Sequence, residues 1–265
     1  VANWGPDHIK TANKLIDLGC KRMIIEKPLA NRKDELQSFM ERCIKEDIFV
    51  TIHHRWAYTN ILTKIEETQF KYNLGNPKGI RIIGGAVCLS TNGTHFLDLS
   101  CDVLKSIPQH MIAELELDYI NPRNKDLLNI GGMTAYKMKN GTFINVSFSN
   151  ENSEAIRLEI LYRNGLISLG SDGKLKCFQR DMDEVNKYQD KITRYGILQF
   201  KDEIQFENIS TVDRILNNLI SNEKPIVNLA KAEVTTLMVI GAIQSHLKGE
   251  RVKYDKIEDN GLLIS

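Results

Sequence analysis

A buried strand, an amphipathic helix and a second buried strand follow one another near the start of the chain. The strands are "RMIIE", which begins at Arg22, and "IFVTIHH", from Ile48 to His54. We expect Asn31 and Asp34 to cap the helix between them. The apolar stripe of this helix consists of Leu36, Phe39, Met40, Cys43 and Ile44. Strands joined by a helix pair in parallel through a right-handed crossover, and ligands bind at their carboxyl ends. The chain therefore begins within an α/β unit, which an earlier helix from Asp7 to Gly19 precedes.

The pattern changes after Gly75, where short alternating segments replace the strand and helix pattern. Asn140-Gly141, Asn164-Gly165 and Asp172-Gly173 are dipeptides that form tight hairpin turns, so they predict an antiparallel meander. Its apolar positions alternate with polar ones at Ile144, Val146, Phe148, Ile156, Leu158, Ile160 and Tyr162. One face of this sheet is therefore buried. Three further segments are predicted to be helices that cover it, namely Gly93 to Leu104, Thr211 to Asn222 and Ala230 to Lys248.

Composition excludes several classes of partner and compartment. Lys plus Arg (35) nearly equals Asp plus Glu (34), so no overall charge attracts nucleic acid or an anionic membrane, and we expect a small-molecule partner. Five cysteines without a C-x-x-C pair argue against a zinc site and a disulfide framework. No apolar run approaches the roughly 18 residues of a membrane-spanning helix, and the first residues do not resemble a signal peptide. We therefore expect a soluble, cytoplasmic protein.

Glu26, Lys27 and Pro28 follow the first strand, at the place where α/β sheets usually carry their sites. Pro28 ends the strand because it cannot donate to a ladder, and a cis bond before it would turn Lys27 toward the crevice. The simpler interpretation is a solvent-exposed lysine at a strand end. Lys27 is therefore one candidate for a functional group.

Gly93, His95 and Asp98 form G-x-H-x-x-D at the start of a predicted helix. His95 and Asp98 lie one turn apart on the same face, and a histidine there could act as a general acid or base. The alternative is a histidine at a helix start that is merely bonded to Asp98.

A third cluster, "HHRW", follows the second strand. Arg55 offers an anion clamp and Trp56 a stacking surface. Two adjacent histidines suggest a metal site, but neighbouring strand residues point to opposite faces, so one ion could not easily take both. We predict no metal site.

These segments together resemble one known family. "GCKRMIIEKPLA", "IHHRW", "NGTHFLDL" and the final "NLAKAEVTTLMVIGAIQSHLKGERV" occur in the order and spacing of the Gfo/Idh/MocA oxidoreductases, the glucose-fructose oxidoreductase and inositol dehydrogenase family. The resemblance implies an α/β fold: part of a doubly wound, parallel Rossmann domain (1–75), then an α+β substrate-binding domain (76–265). The second domain would have a large, mostly antiparallel sheet covered by helices. The final helix, about 230–248, would pack back on the first domain.

The resemblance also implies an activity. An enzyme of this family would use NAD or NADP to transfer hydride to or from a sugar, polyol or nucleotide-sugar carbon. Lys27 would hydrogen-bond the reacting oxygen, and His95 would take its proton. The implied cofactor-binding residues are Asn3, Trp4, Pro6, Glu26, Lys27, Pro28, Arg55 and Trp56. The implied substrate-binding residues are Lys27, Asn92, His95, Arg123, Asn150 and Arg194. The loop arginines suit a carboxylate or phosphate, hence an acidic or nucleotide-linked sugar, although they could be ordinary surface residues. A homodimer or homotetramer is common in the family.

Two departures from the family pattern set the alternatives. Many members have Asp four residues before the histidine, where this chain has Thr91, so Asn92 or Asp98 would have to orient His95. No G-x-G-x-x-G turn for a pyrophosphate is present, so we expect a fragment, or a protein that cannot bind a dinucleotide in the usual way. The alternatives to a dehydrogenase are a non-catalytic sugar-binding or assembly protein, and an enzyme with transient redox but non-redox net chemistry, such as a lyase or glycosidase.

Overall fold

Two sheets of different kinds form the fold, one after the other along the chain. The computed structural model describes residues 1–85, 87–117, 120–121, 123–181, 183, 198–206, 211–221, 223–259 and 261–262. In the first sheet, β1 (Arg22–Ile25) and β2 (Phe49–Ile52) pair in parallel, with Ile25 opposite Ile52. The helices of this part are α1 (His8–Asp17), α2 (Lys33–Lys45) and α3 (Ile61–Lys71). The predicted parallel crossover is therefore confirmed, with α2 between its strands.

The helix α2 begins differently from the prediction. Its first residue is Lys33, the N-cap position is Arg32, and the Asp34 carboxylate accepts a hydrogen bond from the Glu35 backbone N–H over 2.7 Å within the first turn. The backbone N–H groups of Lys33 and Asp34 donate to the carboxylate of Asp259, the second over 3.2 Å. A carboxylate suits this position because the first N–H groups of a helix have no partners within it. The cap comes from residues far along the chain, so local sequence could not indicate it.

The second sheet combines nine described strands in the order β10-β9-β8-β7-β3-β6-β5-β4-β11. Neighbours are antiparallel except for β3 and β6, which are parallel, so the predicted mostly antiparallel sheet is confirmed. The strands are β3 (Pro77–Gly85), β4 (Pro108–Glu116), β5 (Gly131–Met138), β6 (Phe143–Ser149), β7 (Arg157–Tyr162), β8 (Gly165–Leu169), β9 (Lys174–Arg180), β10 (Leu198–Gln205) and β11 (Val252–Lys253).

The three predicted hairpins all form, but one uses its glycine differently. Gly141 and Gly173 have φ of 86° and 73°, the positive values that their turns require. Gly165 instead is the first residue of β8, opposite Gln179. A Cβ atom there would overlap the carbonyl oxygen of Phe178, so close approach of two backbones, and not a positive φ, requires glycine. The expected turn at Asn164-Gly165 lies one residue earlier.

Two of the three predicted helices cover the apolar face of the large sheet, namely α4 (Thr94–Leu104) and α6 (Leu229–Lys248). The third, α5 (Thr211–Ile220), was expected to do the same but packs on β1 and β2 of the first sheet. The alternating side chains of β6 and β7 are buried, namely Ile144, Val146, Phe148, Leu158, Ile160 and Tyr162. The helix α6 packs on β4 and also touches α2 and β2, so it links the two sheets. In the part of the chain that the structure describes, no helix has the length and apolar character that crossing a bilayer requires.

The cap of α2 predicts a measurable contribution to stability. Asp259→Ala should lower the free energy of unfolding by about 1 kcal/mol, because two N–H groups lose their acceptor. Urea denaturation at neutral pH measures this change. The matched control is Asp255→Ala, an exposed aspartate four residues earlier. Equal midpoints for the two variants would contradict the capping role.

Candidate active site

Lys27 lies at the carboxyl end of β1, where the predicted turn is present. The Lys27–Pro28 peptide bond is cis, and the backbone N–H of Glu26 donates to the carbonyl of Val1 over 2.9 Å. The Lys27 side chain is partly buried rather than solvent-exposed. Burial lowers its pKa, and the charge of Arg123 lowers it further, while Glu26 acts in the opposite direction. The loop after β4, which carries Arg123, therefore brings a second cation close enough to influence the ammonium group.

His95 is the second residue of α4 and follows a π-helical turn, Leu89–Gly93. Its Nδ1 accepts a hydrogen bond from the backbone N–H of Arg55 over 3.2 Å. Burial holds its pKa well below the usual value, and the charge of Lys27 contributes in the same direction. The imidazole is therefore neutral near pH 7, and Lys27 and His95 belong to one electrostatic site.

Glu26 and His53 form a contact that the sequence analysis did not predict. The His53 Nδ1 lies 2.7 Å from the Glu26 Oε1, and its Nε2 lies 3.4 Å from the Thr211 hydroxyl. Burial raises the pKa of Glu26, but the hydrogen bond and charge of His53 outweigh it, so the pKa is lowered. Because β1 and β2 are parallel and in register, the residues that follow them are neighbours. The parallel pairing of the two predicted strands could therefore have indicated the contact between Glu26 and His53.

The adjacent His54 points elsewhere, as strand alternation predicts. Its side chain is 2% exposed, and its Nε2 lies 3.4 Å from the Thr235 hydroxyl of α6. Burial lowers its pKa to about 3, so the ring is neutral. The rings of His53 and His54 both stand edge-on to His95, with centroids 6.4 and 5.8 Å away. Among the described residues, no three His, Cys, Asp or Glu side chains are grouped to bind a metal ion.

Asp98 does not orient His95, contrary to one of the sequence-based alternatives. Its carboxylate, 1% exposed, lies 3.3 Å from the Lys231 Nζ of α6. Lys231 also contacts Asp102 over 2.7 Å. Burial raises the pKa of Asp98 to about 7, the charge of Asp102 adds to the rise, and Lys231 opposes it. The i, i+3 spacing correctly placed Asp98 on the inner face of α4, but its partner comes from another helix.

Trp56 is a packing residue, so the predicted stacking surface for a ligand is wrong. Its indole is 7% exposed and stands edge-on to Phe96 and Phe206, with ring centroids 5.6 and 6.0 Å away. The Arg55 guanidinium lies over this ring, 4.8 Å from its centroid. Arg55 itself is exposed and lines a cavity of about 210 Å³ together with Lys174. It thus remains available to an anion.

The first residues of the chain are fixed against the Lys27 turn by His8. The His8 Nδ1 lies 2.7 Å from the Pro28 carbonyl oxygen, and its Nε2 lies 2.9 Å from the Asn3 carbonyl oxygen. The Asn3 amide donates to the Thr11 hydroxyl over 2.9 Å, whereas the Trp4 side chain is 39% exposed. Pro6 lies in the 3₁₀ turn Gly5–Asp7 that precedes α1. His8 is therefore a structural bridge, which no local pattern indicated.

Three of the predicted substrate residues, Asn92, Arg123 and Asn150, lie in connections at one end of the large sheet. Asn92 is exposed in the turn before His95. The Asn150 backbone N–H donates to Glu116 over 3.3 Å, and its side-chain oxygen accepts from Asn129 over 3.0 Å. The Arg123 backbone N–H donates to the Asn121 side chain, and its own side chain is exposed. Arg194 lies outside the described residues.

Comparison with known proteins identifies the fold. No protein-family model matches the chain, and no curated protein matches its sequence. An oxidoreductase from Agrobacterium radiobacter, in complex with NAD⁺, L-tartaric acid and magnesium, has a TM-score of 0.70 at 16% identity, over 96% of this chain and 79% of that one. UDP-N-acetylglucosamine 3-dehydrogenase from Acidithiobacillus ferrooxidans has a TM-score of 0.66 at 13% identity, over 93% and 76%. A super-repressor mutant of Gal80p from Saccharomyces cerevisiae has a TM-score of 0.70 at 13% identity, over 98% and 80%.

These neighbours are of the Gfo/Idh/MocA type, so the fold implied by the sequence resemblance is confirmed. At such low identities, the similarity establishes the architecture alone. The chemistry has to be argued from the residues of the site.

Asp98 predicts how stability depends on pH. Its pKa in the folded protein, about 7, lies above its ordinary value of 3.8, so between these values the folded state holds a proton that the unfolded state releases. The free energy of unfolding therefore falls as the pH rises through this window. Asp98→Asn should remove up to about 4 kcal/mol of this decline. Urea denaturation from pH 4 to pH 8 measures it.

The matched control is Asp102→Asn, because Asp102 contacts the same lysine but is more exposed than Asp98. That variant should retain most of the decline, because Asp98 is still buried and only the smaller contribution of the Asp102 charge is lost. A wild-type slope in Asp98→Asn would contradict the assignment.

Proposed function

We propose that this protein is an NAD(P)-dependent oxidoreductase that acts on a hydroxyl-bearing carbon of a sugar, polyol or nucleotide sugar. One observation carries the proposal. Lys27 and His95 come from different elements and meet at the carboxyl end of the parallel strands, where burial lowers the pKa of both. A partly buried lysine beside a neutral imidazole suits the stabilisation of charge on a reacting oxygen. If Lys27 and His95 had only structural roles, nothing would require their side chains to lie so close to each other.

The residues at this crevice fit the nicotinamide end of a dinucleotide. The Trp4 indole is 39% exposed next to the Lys27 turn, and His8 fixes the two segments relative to each other. Asn3, Pro6, Glu26, Lys27 and Pro28 would form the remaining wall. A bound nicotinamide would accept or deliver the hydride. No G-x-G-x-x-G turn for a pyrophosphate occurs in this sequence, and the contacts proposed here are those with the nicotinamide end.

Two cations suggest an anionic substrate group. Arg123 lies near enough to lower the pKa of Lys27, and Arg55 is exposed beside His95. Guanidinium groups bind phosphate and carboxylate through paired hydrogen bonds. The similarity in fold to a UDP-N-acetylglucosamine 3-dehydrogenase supports a nucleotide sugar as the first candidate. Asn92 and Asn150 would contact the sugar hydroxyl groups.

A regulatory, non-catalytic role is the second candidate, because one neighbour in fold is a super-repressor mutant of Gal80p. That role would require sugar or dinucleotide binding without turnover. One measurement distinguishes the two functions, namely the net reduction of nicotinamide in the presence of a sugar. The oxidoreductase gives net reduction, and a protein that binds without turnover does not. An enzyme with transient redox chemistry would consume the sugar without accumulating reduced cofactor.

The test of the oxidoreductase is turnover of NAD⁺ or NADP⁺ with a set of UDP-hexoses by the full-length protein. Lys27→Ala should reduce kcat by about 10²- to 10⁴-fold, because the reacting oxygen loses its lysine partner for hydrogen bonding and proton transfer. The control is Lys21→Ala, an exposed lysine whose ammonium donates to the Glu46 carbonyl. Unchanged turnover in Lys27→Ala, with the fold intact, would exclude the assigned role.

Arg123 predicts the charge of the substrate. Arg123→Gln should raise KM for a UDP-sugar by about tenfold and leave kcat nearly unchanged, because the lost interaction is the same in ground and transition states. An uncharged sugar should show little change. Lys125→Gln, at an exposed residue of the same loop, is the matched control. Equal effects on charged and uncharged sugars would contradict anion binding by Arg123.

A further inference from the structure

The hydrogen bond between Arg55 and His95 fixes where the histidine carries its proton. The Arg55 N–H begins the 3₁₀ turn Arg55–Tyr58, so it has no acceptor within that turn. It donates to His95 Nδ1 over 3.2 Å. A backbone N–H can only donate, and Nδ1 must therefore present its lone pair. The single proton of the neutral ring is then on Nε2.

This tautomer conflicts with the role of proton acceptor. To accept a proton on Nε2, the ring would first have to carry its proton on Nδ1, directed at the Arg55 N–H. The imidazolium form has the same conflict. It is further disfavoured by the charged or ionisable groups that face the ring, which are Lys27 after β1, His53 and His54 after β2, and the Arg55 side chain.

The residue four positions before His95 supports the same conclusion. An aspartate there would accept an Nδ1 proton, but this chain has Thr91, whose hydroxyl donates to the Asn92 side chain over 3.2 Å. Asp98 is engaged by Lys231. The part of the chain that the structure describes therefore gives Nδ1 a donor as its partner and not a carboxylate.

We propose that His95 is a neutral hydrogen-bond donor, that the Arg55 backbone amide is the group that positions it, and that Lys27 carries the proton. The proposal rests on the oxidoreductase function above. In the oxidation direction, the substrate O–H proton passes to the lone pair of the Lys27 amine, which becomes ammonium. The hydrogen on carbon leaves as hydride, with the oxidised nicotinamide as electron acceptor, and the C–O bond becomes C=O. His95 Nε2–H donates to that oxygen throughout. Reduction reverses each transfer.

The depressed pKa of Lys27 agrees with this assignment. Burial is the main cause, and Arg123 contributes. A lysine whose pKa is lowered has a larger fraction of neutral amine near neutral pH, and the amine is the form that accepts a proton. His95 needs no change of protonation during the reaction.

The first test needs no substrate. The ring nitrogens of ¹⁵N-histidine-labelled protein should show His95 as the Nε2–H tautomer from pH 6 to pH 8.5, by two-bond ¹H–¹⁵N correlation. The spectrum of His95→Gln assigns the signal by its loss. An Nδ1–H tautomer, or an imidazolium within this range, would overturn the proposal whether or not the protein is a dehydrogenase.

The second test separates a donor from a proton carrier. The amide of His95→Gln can still donate, whereas His95→Leu cannot. With the UDP-hexose that the wild type turns over, His95→Leu should lose about 10²- to 10³-fold in kcat, and His95→Gln should retain at least about tenfold more activity. The pH at which kcat/KM rises should be the same in His95→Gln and the wild type. Equal losses in two folded variants, or a pH profile that shifts with His95→Gln, would overturn the proposal.

Discussion

The parallel pairing of β1 and β2 is the constraint on which the site depends. With Ile25 opposite Ile52, the next residues of both strands emerge side by side at one edge of the sheet. Glu26 thereby meets His53 over 2.7 Å, and the chain after His54 continues into the turn that begins at Arg55. The residues that directly follow the two strands are therefore positioned by backbone hydrogen bonds of the sheet. His95 comes from α4 and is joined to them through the Arg55 backbone N–H.

Burial without a nearby free carboxylate gives the site its electrostatic character. Lys27, His54 and His95 each have a lowered pKa, and in each the largest cause is desolvation. Neighbouring positive charges lower the pKa of the two histidines further, whereas at Lys27 the charge of Glu26 opposes the effect of burial. The carboxylate of Glu26 is engaged by His53, and Asp98 by Lys231. His95 is thus held neutral, and a neutral imidazole can still donate one N–H to an oxygen with developing negative charge.

Sequence patterns predicted those features that depend on short-range periodicity. The crossover, the alternation in β6 and β7 and the hairpins all follow from spacing, and they are present. The apolar stripe of α2 is present only in part, because Leu36, Phe39 and Cys43 are buried whereas Ile44 is 78% exposed. The failures have a common physical origin in partners that are distant along the chain. Asp259 caps α2 from near the end of the sequence, and Lys231 of α6 binds Asp98. Trp56 was expected to face a ligand because it follows a strand, but Phe96 and Phe206 bury it.

The comparison with the family pattern shows why a missing residue need not mean a missing function. Thr91 replaces the aspartate that would hold a proton on His95 Nδ1, and the sequence alone offered only Asn92 or Asp98 as substitutes. The structure instead places a main-chain N–H at that nitrogen, 3.2 Å away. A backbone N–H does not depend on the type of side chain that its residue carries, so no sequence motif could have indicated this donor. With a donor in place of an acceptor at Nδ1, the proton of the neutral ring is on Nε2. Nε2 then donates a hydrogen bond and does not accept a proton. With the same G-x-H-x-x-D sequence, the histidine can therefore act as a hydrogen-bond donor while the lysine carries the proton.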